Sequence, residues 1–286
     1  MNSTSALQPP IPTATIPWTS PIPGFSALLV GPTGTGKTTA LKTLVAAGIV
    51  PMVLLTEPHG AVLADVPCPK LHWHYVKPMA HSFQDLINAA VEINTFTLDI
   101  LAKKSDPGRS KHRQFVEVLQ TLHNFTCDRC QQQFGDISTW GTNRAICLDS
   151  MTGINPMALT LAAGDKPIKS MADWQMAQGV ILNLVQKLCT DRRCHFIMTG
   201  HLERETDEIT GGIQLMVSTL GRKLGPQIPR FFDEVIHCVR EEAKFRWSNT
   251  TFNVDLKARL LPLSSALQPS FVPLIEAWKA KGGILE

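Results

Sequence analysis

Gly31-Pro32-Thr33-Gly34-Thr35-Gly36-Lys37-Thr38 is the stretch that decides how the rest of this chain is read. It fits G-x-x-x-x-G-K-[ST], a loop that wraps phosphates. Phe25 to Val30 (FSALLV), short and apolar, reads as a strand in front of it. Thr38 to Ala47 (TTALKTLVAA) reads as a helix behind it, closed by Gly48. Glycines let the backbone curl so that successive N–H groups point at oxygens, and the helix N-terminus adds partial positive charge. Gly31, Pro32, Thr33, Gly34, Thr35, Gly36, Lys37, Thr38 and Thr39 are therefore the expected cradle. Lys37 can reach the β- and γ-phosphates of a nucleotide, and the Thr38 hydroxyl can hold Mg²⁺.

The 286 residues favour one domain with additions over two full domains. With 44% apolar and 18% charged residues, the composition is that of a globular protein with one core. A net charge of +3 permits a polyanionic partner without demanding one. The seven cysteines lack the spacing of a disulfide framework, and no secretory leader precedes them, so reduced thiols in a cytoplasm are expected. No apolar run reaches the length of a membrane span, and no membrane contact is expected.

Residues 1–24, rich in proline, read as an extended arm that Trp18 and Ile22 could tack onto a neighbour. Met52 to Thr56 reads as a buried strand with Glu57 at its end. In parallel α/β sheets the carboxyl ends of strands form the ligand crevice, where a carboxylate can deprotonate an attacking water. The same position also suits a solvated loop glutamate. Leu71 to Val76 alternates like a strand, with His72 and His74 on one face. Ser82 and Asp85 resemble a capping box opening a helix through about Leu101. A polar, basic break follows over 103–114, then a helix from about Gln114 to Leu122.

Cys127-Asp128-Arg129-Cys130 has the spacing of half a zinc site. Cys68 and His72 could complete a Cys₃His set, or His123 could join; two free thiols in a hairpin is the other reading. Ala145 to Ser150 (AICLDS) is a buried strand whose Asp149 can hold Mg²⁺ opposite Thr38, or can cap the next turn. The long span from Lys37 to Asp149 implies an insertion over roughly 104–142.

Residues 151–169 read as a loop with a short helical piece, and Ser170 with Asp173 as the capping box of a helix through about Leu188. Cys194 to Thr199 is another buried strand, followed by Gly200-His201. His201 could sense a γ-phosphate or be a hydrogen-bonded structural histidine. Residues 202–229 read as a long, exposed polar segment. In and beyond it, Arg222, Lys223 and Arg230 could meet DNA phosphates or be solvated loop charges. From Glu234 the pattern turns to short alternating strands (VIHCVR, KFRW, TFNVDLKARL), expected as antiparallel additions to the sheet edge. Residues 263–286 read as a tail with a short helix through about Lys281.

Taken together, GPTGTGKT, VLLTEPHG, AICLDS, IMTGHLERETDEITGG and KLGPQIPRFFDEV resemble the RecA-like ATPase core, and within it the phage-encoded P-loop ATPases of single-strand annealing and recombination. The resemblance spans about residues 25–262. It implies a three-layer α/β fold with a mainly parallel sheet and C-terminal antiparallel hairpins. It implies Glu57 as catalytic base, Lys37 as phosphate ligand, Asp149 as Mg²⁺ partner and His201 where such proteins keep a polar γ-phosphate sensor, often Gln. It makes the segment after His201 the second DNA-binding loop. It makes Lys257 and Arg259 the basic pair that reaches a neighbouring subunit's nucleotide; an edge strand blunted by charge is the alternative. ATP as nucleotide, single-stranded DNA and a phage single-strand-binding protein as partners, a ring or filament of identical subunits, and the cytoplasm of a bacterial host follow from the same resemblance. A helicase-like or packaging motor, and a nucleotide-dependent scaffold without turnover, use the same core.

Overall fold

The structure is a computed structural model describing residues 22–58, 60–79, 82–103, 111–206 and 212–286. Nearly all of the expected arm, including Trp18, most of the basic break after Lys103 and positions 207–211 lie outside the described residues.

Seven strands form one sheet: β1 (Ser26–Val30), β2 (Val50–Leu55), β3 (His72–Tyr75), β4 (Arg144–Asp149), β5 (His195–Gly200), β8 (Glu234–Glu241) and β9 (Lys244–Ser248). Their order is β3-β2-β4-β5-β1-β8-β9, and every pairing is parallel except the β8–β9 hairpin. The inner strands are apolar throughout because helices cover both faces. Alternate residues divide between two cores. Leu28, Met52, Leu54, Ile146, Leu148, Phe196 and Met198 face α5 (Gln114–His123), α6 (Met151–Ala163) and α7 (Met171–Thr190). Ala27, Leu29, Val53, Leu55, Cys147 and Ile197 face α1 (Lys37–Ala40), α2 (Thr43–Ala46) and α8 (Val272–Ala280). The fold is the expected three-layer α/β core with a terminal antiparallel hairpin.

The residues expected as a C-terminal tail close one of these layers. Leu274, Ile275 and Trp278 of α8 are buried, and Trp278 Nε1 donates to the Pro23 carbonyl at 2.9 Å. Both expected capping boxes are present. Ser82 opens α3 (Phe83–Thr95), and Ser170 opens α7. Each such cap contributes about 1 kcal/mol.

Local readings depart from the structure in several places. The helix expected over 38–47 is split into α1 and α2, because the bonds from Leu41, Lys42 and Leu44 reach back three residues instead of four. The helix expected from Ser82 through Leu101 breaks at Phe96, which is extended, before α4 (Leu98–Ala102). Residues 151–163, expected as a loop with a short helical piece, form one continuous helix, α6, despite Gly153 and Pro156. Ser150 caps it and Met151, Ile154, Met157 and Ala158 are buried, so packing outweighs propensity. The polar segment after His201 forms a two-stranded hairpin, β6 (Leu202–Thr206) with β7 (Ile213–Val217); three successive charged residues, Glu203, Arg204 and Glu205, leave β6 without the apolar alternation that marks a strand. TFNVDLKARL is not a third meander strand. β9 pairs only with the distal half of β8, and the chain returns to meet the proximal half at one bridge, Val235 with Lys257.

Candidate active site

The carboxyl ends of β1, β2, β4 and β5 meet at one edge of the sheet, and each delivers a polar residue. β1 runs into the glycine loop, where Gly34 and Gly36 have φ of 77° and 81°. Side chains rarely adopt that region, which is why glycine is needed there. Lys37 is buried and turns back on its own loop, donating to the Gly31 carbonyl at 2.7 Å and the Pro32 carbonyl at 2.8 Å. Burial lowers its pKa, against the pull of Cys238, Asp149 and Glu57, which raise it. Thr35 Oγ1 also donates to the Pro32 carbonyl, at 2.9 Å.

Asp149, 3% exposed, stands at the end of β4 and accepts two hydroxyl bonds. Thr38 Oγ1 donates to its Oδ2 at 2.8 Å, and Thr199 Oγ1 at the end of β5 donates to Oδ1. A threonine hydroxyl beside a buried carboxylate is a pair of hard oxygen donors, the set that Mg²⁺ prefers. The residues present therefore fit that ion.

Glu57 follows β2. Ser150 Oγ donates to Glu57 Oε1 at 2.6 Å. The strand ends beneath are tied together: Thr56 N donates to the Asp149 carbonyl at 2.8 Å, Thr56 Oγ1 to the Ser150 carbonyl at 2.8 Å, and Ser150 N to Thr56 Oγ1 at 2.9 Å. α6 crosses this knot at Gly153, where an added Cβ would lie 2.3 Å from Thr56 Oγ1. His201, half-buried, follows β5. Burial first, then the charge of Lys37, lowers its pKa, while Glu57, Asp149 and the Gly31 backbone pull the other way. Gly31 N donates to the carbonyl of the preceding Gly200 at 3.2 Å, which sets His201 beside the start of the glycine loop. Its carbonyl accepts from Ser218 N at 2.8 Å, so the β6–β7 hairpin starts and ends against this residue.

The structure thus gathers Lys37, Thr38, Glu57, Asp149 and His201. It adds Ser150 and Thr199, which the sequence reading passed over although both are polar residues at buried strand ends. It also adds Phe245 and Arg240 from the β8–β9 hairpin, for which the sequence carries no local signal. Phe245 lies against the loop, 3.3 Å from where a Gly36 Cβ would stand, and the Arg240 guanidinium lies over the Phe245 ring. Phe245, Pro269, Thr39, Ala40 and Thr43 line a cavity of about 160 Å³ beside the loop.

Lys257 and Arg259 are elsewhere. Arg259 Nη1 pairs with Asp233 Oδ1 at 3.0 Å, and Lys257 Nζ donates to the Arg230 carbonyl at 3.0 Å. Asp233 N donates to the carbonyl of Ser26, the first residue of β1. The glycine loop begins beyond Val30, about 13 Å further along at ~3.3 Å per residue. Neither cation serves the loop of its own chain. Arg222 Nε lies 3.8 Å from Glu205 Oε1 of β6, while Lys223 and Arg230 are exposed.

Cys68, His72, Cys127 and Cys130 come together at the far sheet edge, their ligand atoms all within 4.8 Å of one another. His123 is not among them; its Nδ1 meets Asp136 Oδ2 at 2.9 Å instead.

A family model described as an AAA domain matches residues 24–260. No curated protein matches the chain in sequence. Among solved structures, one similar chain is the assembled ATPase EscN from the enteropathogenic E. coli type III secretion system, with 15% identity and a TM-score of 0.42 over 91% of this chain and 52% of that one. The chain therefore spans about half the length of EscN. Another is the RadB recombinase, with 15% identity and a TM-score of 0.35 over 85% of each chain. No described helix is long and apolar enough to cross a membrane.

Proposed function

This chain belongs to the AAA domain family, and on that premise we propose that it binds and hydrolyses a nucleoside triphosphate, ATP by the sequence resemblance. The convergence of Lys37, Thr38, Glu57, Asp149 and His201 at the carboxyl ends of four neighbouring strands carries this reading. The loop N–H groups and Lys37 hold the phosphates, with Lys37 released from the Gly31 and Pro32 carbonyls. Thr38 and Asp149 would hold Mg²⁺, which neutralises charge on the β- and γ-oxygens when bound. Glu57 takes a proton from water, the water oxygen attacks the γ-phosphorus, and the bond to the β–γ bridging oxygen breaks. Inorganic phosphate and the nucleoside diphosphate result. Ser150 holds the Glu57 carboxylate in place. His201, its pKa lowered by burial and by Lys37, is kept toward neutral imidazole and donates toward the γ-phosphate. Phe245 and Pro269 offer an aromatic and a proline face to the base.

Occupancy of the γ-phosphate site is read by His201 and passed to the β6–β7 hairpin that it anchors. Arg222, Lys223 and Arg230 contact a single-stranded DNA backbone beyond the hairpin, in a protein of phage recombination acting in the host cytoplasm. The remoteness of Lys257 and Arg259 from their own loop supports delivery to a neighbouring subunit's nucleotide in a ring or filament.

Phosphate release from purified protein, measured with and without single-stranded DNA, tests this. Expected are Mg²⁺-dependent turnover that Lys37→Ala abolishes and a rate raised by single strands. Turnover intact in Lys37→Ala would refute the hydrolysis; a rate unmoved by any nucleic acid would refute the DNA role alone.

A further inference from the structure

β3 is an edge strand, hydrogen-bonded to β2 on one side and to no strand on the other among the described residues. What covers it is the turn carrying Cys127-Asp128-Arg129-Cys130. Asp128 N donates to the Trp73 carbonyl at 2.9 Å, Tyr75 N donates to Asp128 Oδ2 at 2.8 Å, and His74 Nδ1 lies 2.9 Å from Asp128 Oδ1. Arg129 stacks over the Trp73 ring at 4.5 Å and donates to the Val66 carbonyl at 2.6 Å. The edge is thus sealed by a short hairpin turn, its arms joined at the Thr126–Gln133 bridge and by bonds from Phe125 N to the Gly135 carbonyl and from Cys127 N to the Gln132 carbonyl.

Behind that turn four ligand atoms converge. Cys68 Sγ is 3.7 Å from His72 Nδ1 and 4.0 Å from Cys127 Sγ, and Cys130 Sγ is 3.6 Å from His72 Nδ1. A zinc ion with Zn–S of about 2.3 Å and Zn–N of about 2.0–2.1 Å, tetrahedrally bound, spaces its ligands about 3.8 Å (S to S) and 3.6 Å (S to N) apart. Three of the six edges match that tetrahedron to within about 0.2 Å, and the other three lie within 4.8 Å. These contacts are also within reach of weak S–H hydrogen bonds, and Cys68 Sγ donates to the Leu71 carbonyl at 3.5 Å, but four ligand atoms each within 4.8 Å of all the others is the arrangement a single ion requires. The His72 ring is held in place by packing on Phe134, with ring centroids 4.4 Å apart. Three thiolates with Zn²⁺ leave one negative charge, and the Arg129 guanidinium lies close by, its Nη1 and Cys68 Sγ each 3.5 Å from the Leu71 carbonyl oxygen.

We propose that Cys68, His72, Cys127 and Cys130 form a structural Zn²⁺ site that fastens the knuckle to the entry of β3. The set is closed, with four protein ligands and no open position, so its work is structural. It ties points 59 residues apart and holds the edge next to β2, the strand that Glu57 follows.

The test is zinc content of the full-length protein, purified under reducing conditions without chelator or added metal. About one zinc per chain is expected, released by a mercurial reagent that titrates thiols, and Co²⁺ put in its place should show the visible spectrum of a tetrahedral thiolate site. Cys130 is exposed, so Cys130→Ser should fold, lose most of the zinc and melt at lower temperature. Absence of zinc from wild-type protein whose thiols react freely, a Cys68–Cys127 disulfide in the reduced preparation, an octahedral Co²⁺ spectrum, or full zinc retained in the double variant Cys127→Ser/Cys130→Ser would each overturn the assignment. None of these readouts depends on nucleotide turnover.

Discussion

Ser150 Oγ and Glu57 Oε1 are 2.6 Å apart, joining the ends of two paired parallel strands, β4 and β2. The strand-end bonds of Thr56 with Asp149 and Ser150 fix the two backbones relative to each other, so the carboxylate of Glu57 has one orientation and Asp149 is set beside it.

Two substitutions follow from that pair. Glu57→Gln should retain nucleotide and reduce turnover by roughly 100-fold or more, the share of a general base. Ser150→Ala should leave affinity unchanged and lower kcat by about 10-fold, the equivalent of one hydrogen bond to a charged group. Single-turnover hydrolysis beside equilibrium nucleotide binding separates the two effects. Loss of binding in either variant would place these residues in the fold and not in the chemistry.

Gly153 gives a more remote handle on the same carboxylate. A Cβ there would stand 2.3 Å from Thr56 Oγ1 and 2.6 Å from Thr56 Cβ. Gly153→Ala must therefore shift the end of β2 or α6 by about 1 Å to reach ordinary contact at 3.4 Å or more. The expectation is a kcat reduced by about 10-fold or more, as small displacements of catalytic groups cost that much, with Lys37-dependent nucleotide binding kept. Unchanged kcat would mean that α6 moves and the strand end does not.

Phe245 makes the base-side prediction. Its ring lies against Gly36 and lines the cavity with Pro269 and Thr39. Phe245→Ala should weaken nucleotide binding by about 5- to 10-fold, as removal of a stacking aromatic does, whereas Phe245→Tyr should be near neutral. Inorganic triphosphate, which has no base, should bind the two proteins equally. A loss of triphosphate affinity in the alanine variant would mean that Phe245 supports the loop and not the base.

Acid stability has a named source in His195. The ring is fully buried between Phe25 and Trp278, and its Nδ1 accepts from Phe25 N at 3.2 Å. Burial, aided by the Arg192 charge, pushes its pKa down from 6.5 to about 3. Below 6.5 the unfolded chain binds a proton that the folded chain refuses, so stability falls as pH drops toward 3, by up to ~1.4 kcal/mol per pH step. Urea midpoints measured from pH 7 to pH 4 should fall more steeply in wild type than in His195→Asn. Equal slopes would remove His195 as the source.

The phosphate loop, the buried strands and the strand-end positions of Glu57 and Asp149 were legible because each is a local pattern: glycines at fixed spacing, or an apolar run ended by a carboxylate. Even the Cys₃His set was legible as two halves. Where local propensity misled, packing had decided otherwise. α6 forms despite Gly153 and Pro156 because Met151, Ile154, Met157 and Ala158 are buried, and β6–β7 forms although Glu203, Arg204 and Glu205 are charged. Ser150, Thr199, Phe245 and the remoteness of Arg259 were not legible, because each depends on which strands become neighbours.

By itself, then, the sequence determined the chemistry available: a loop able to hold phosphates, carboxylates at the ends of buried strands, and cysteines spaced for a metal. Only the tertiary structure decided which of these groups share a site. Strand order placed β5 between β1 and β4, bringing Thr38 and Thr199 onto opposite oxygens of Asp149. Side-chain spacing along a chain is set by covalent geometry, but contacts between residues more than a hundred positions apart are set by which apolar faces bury each other.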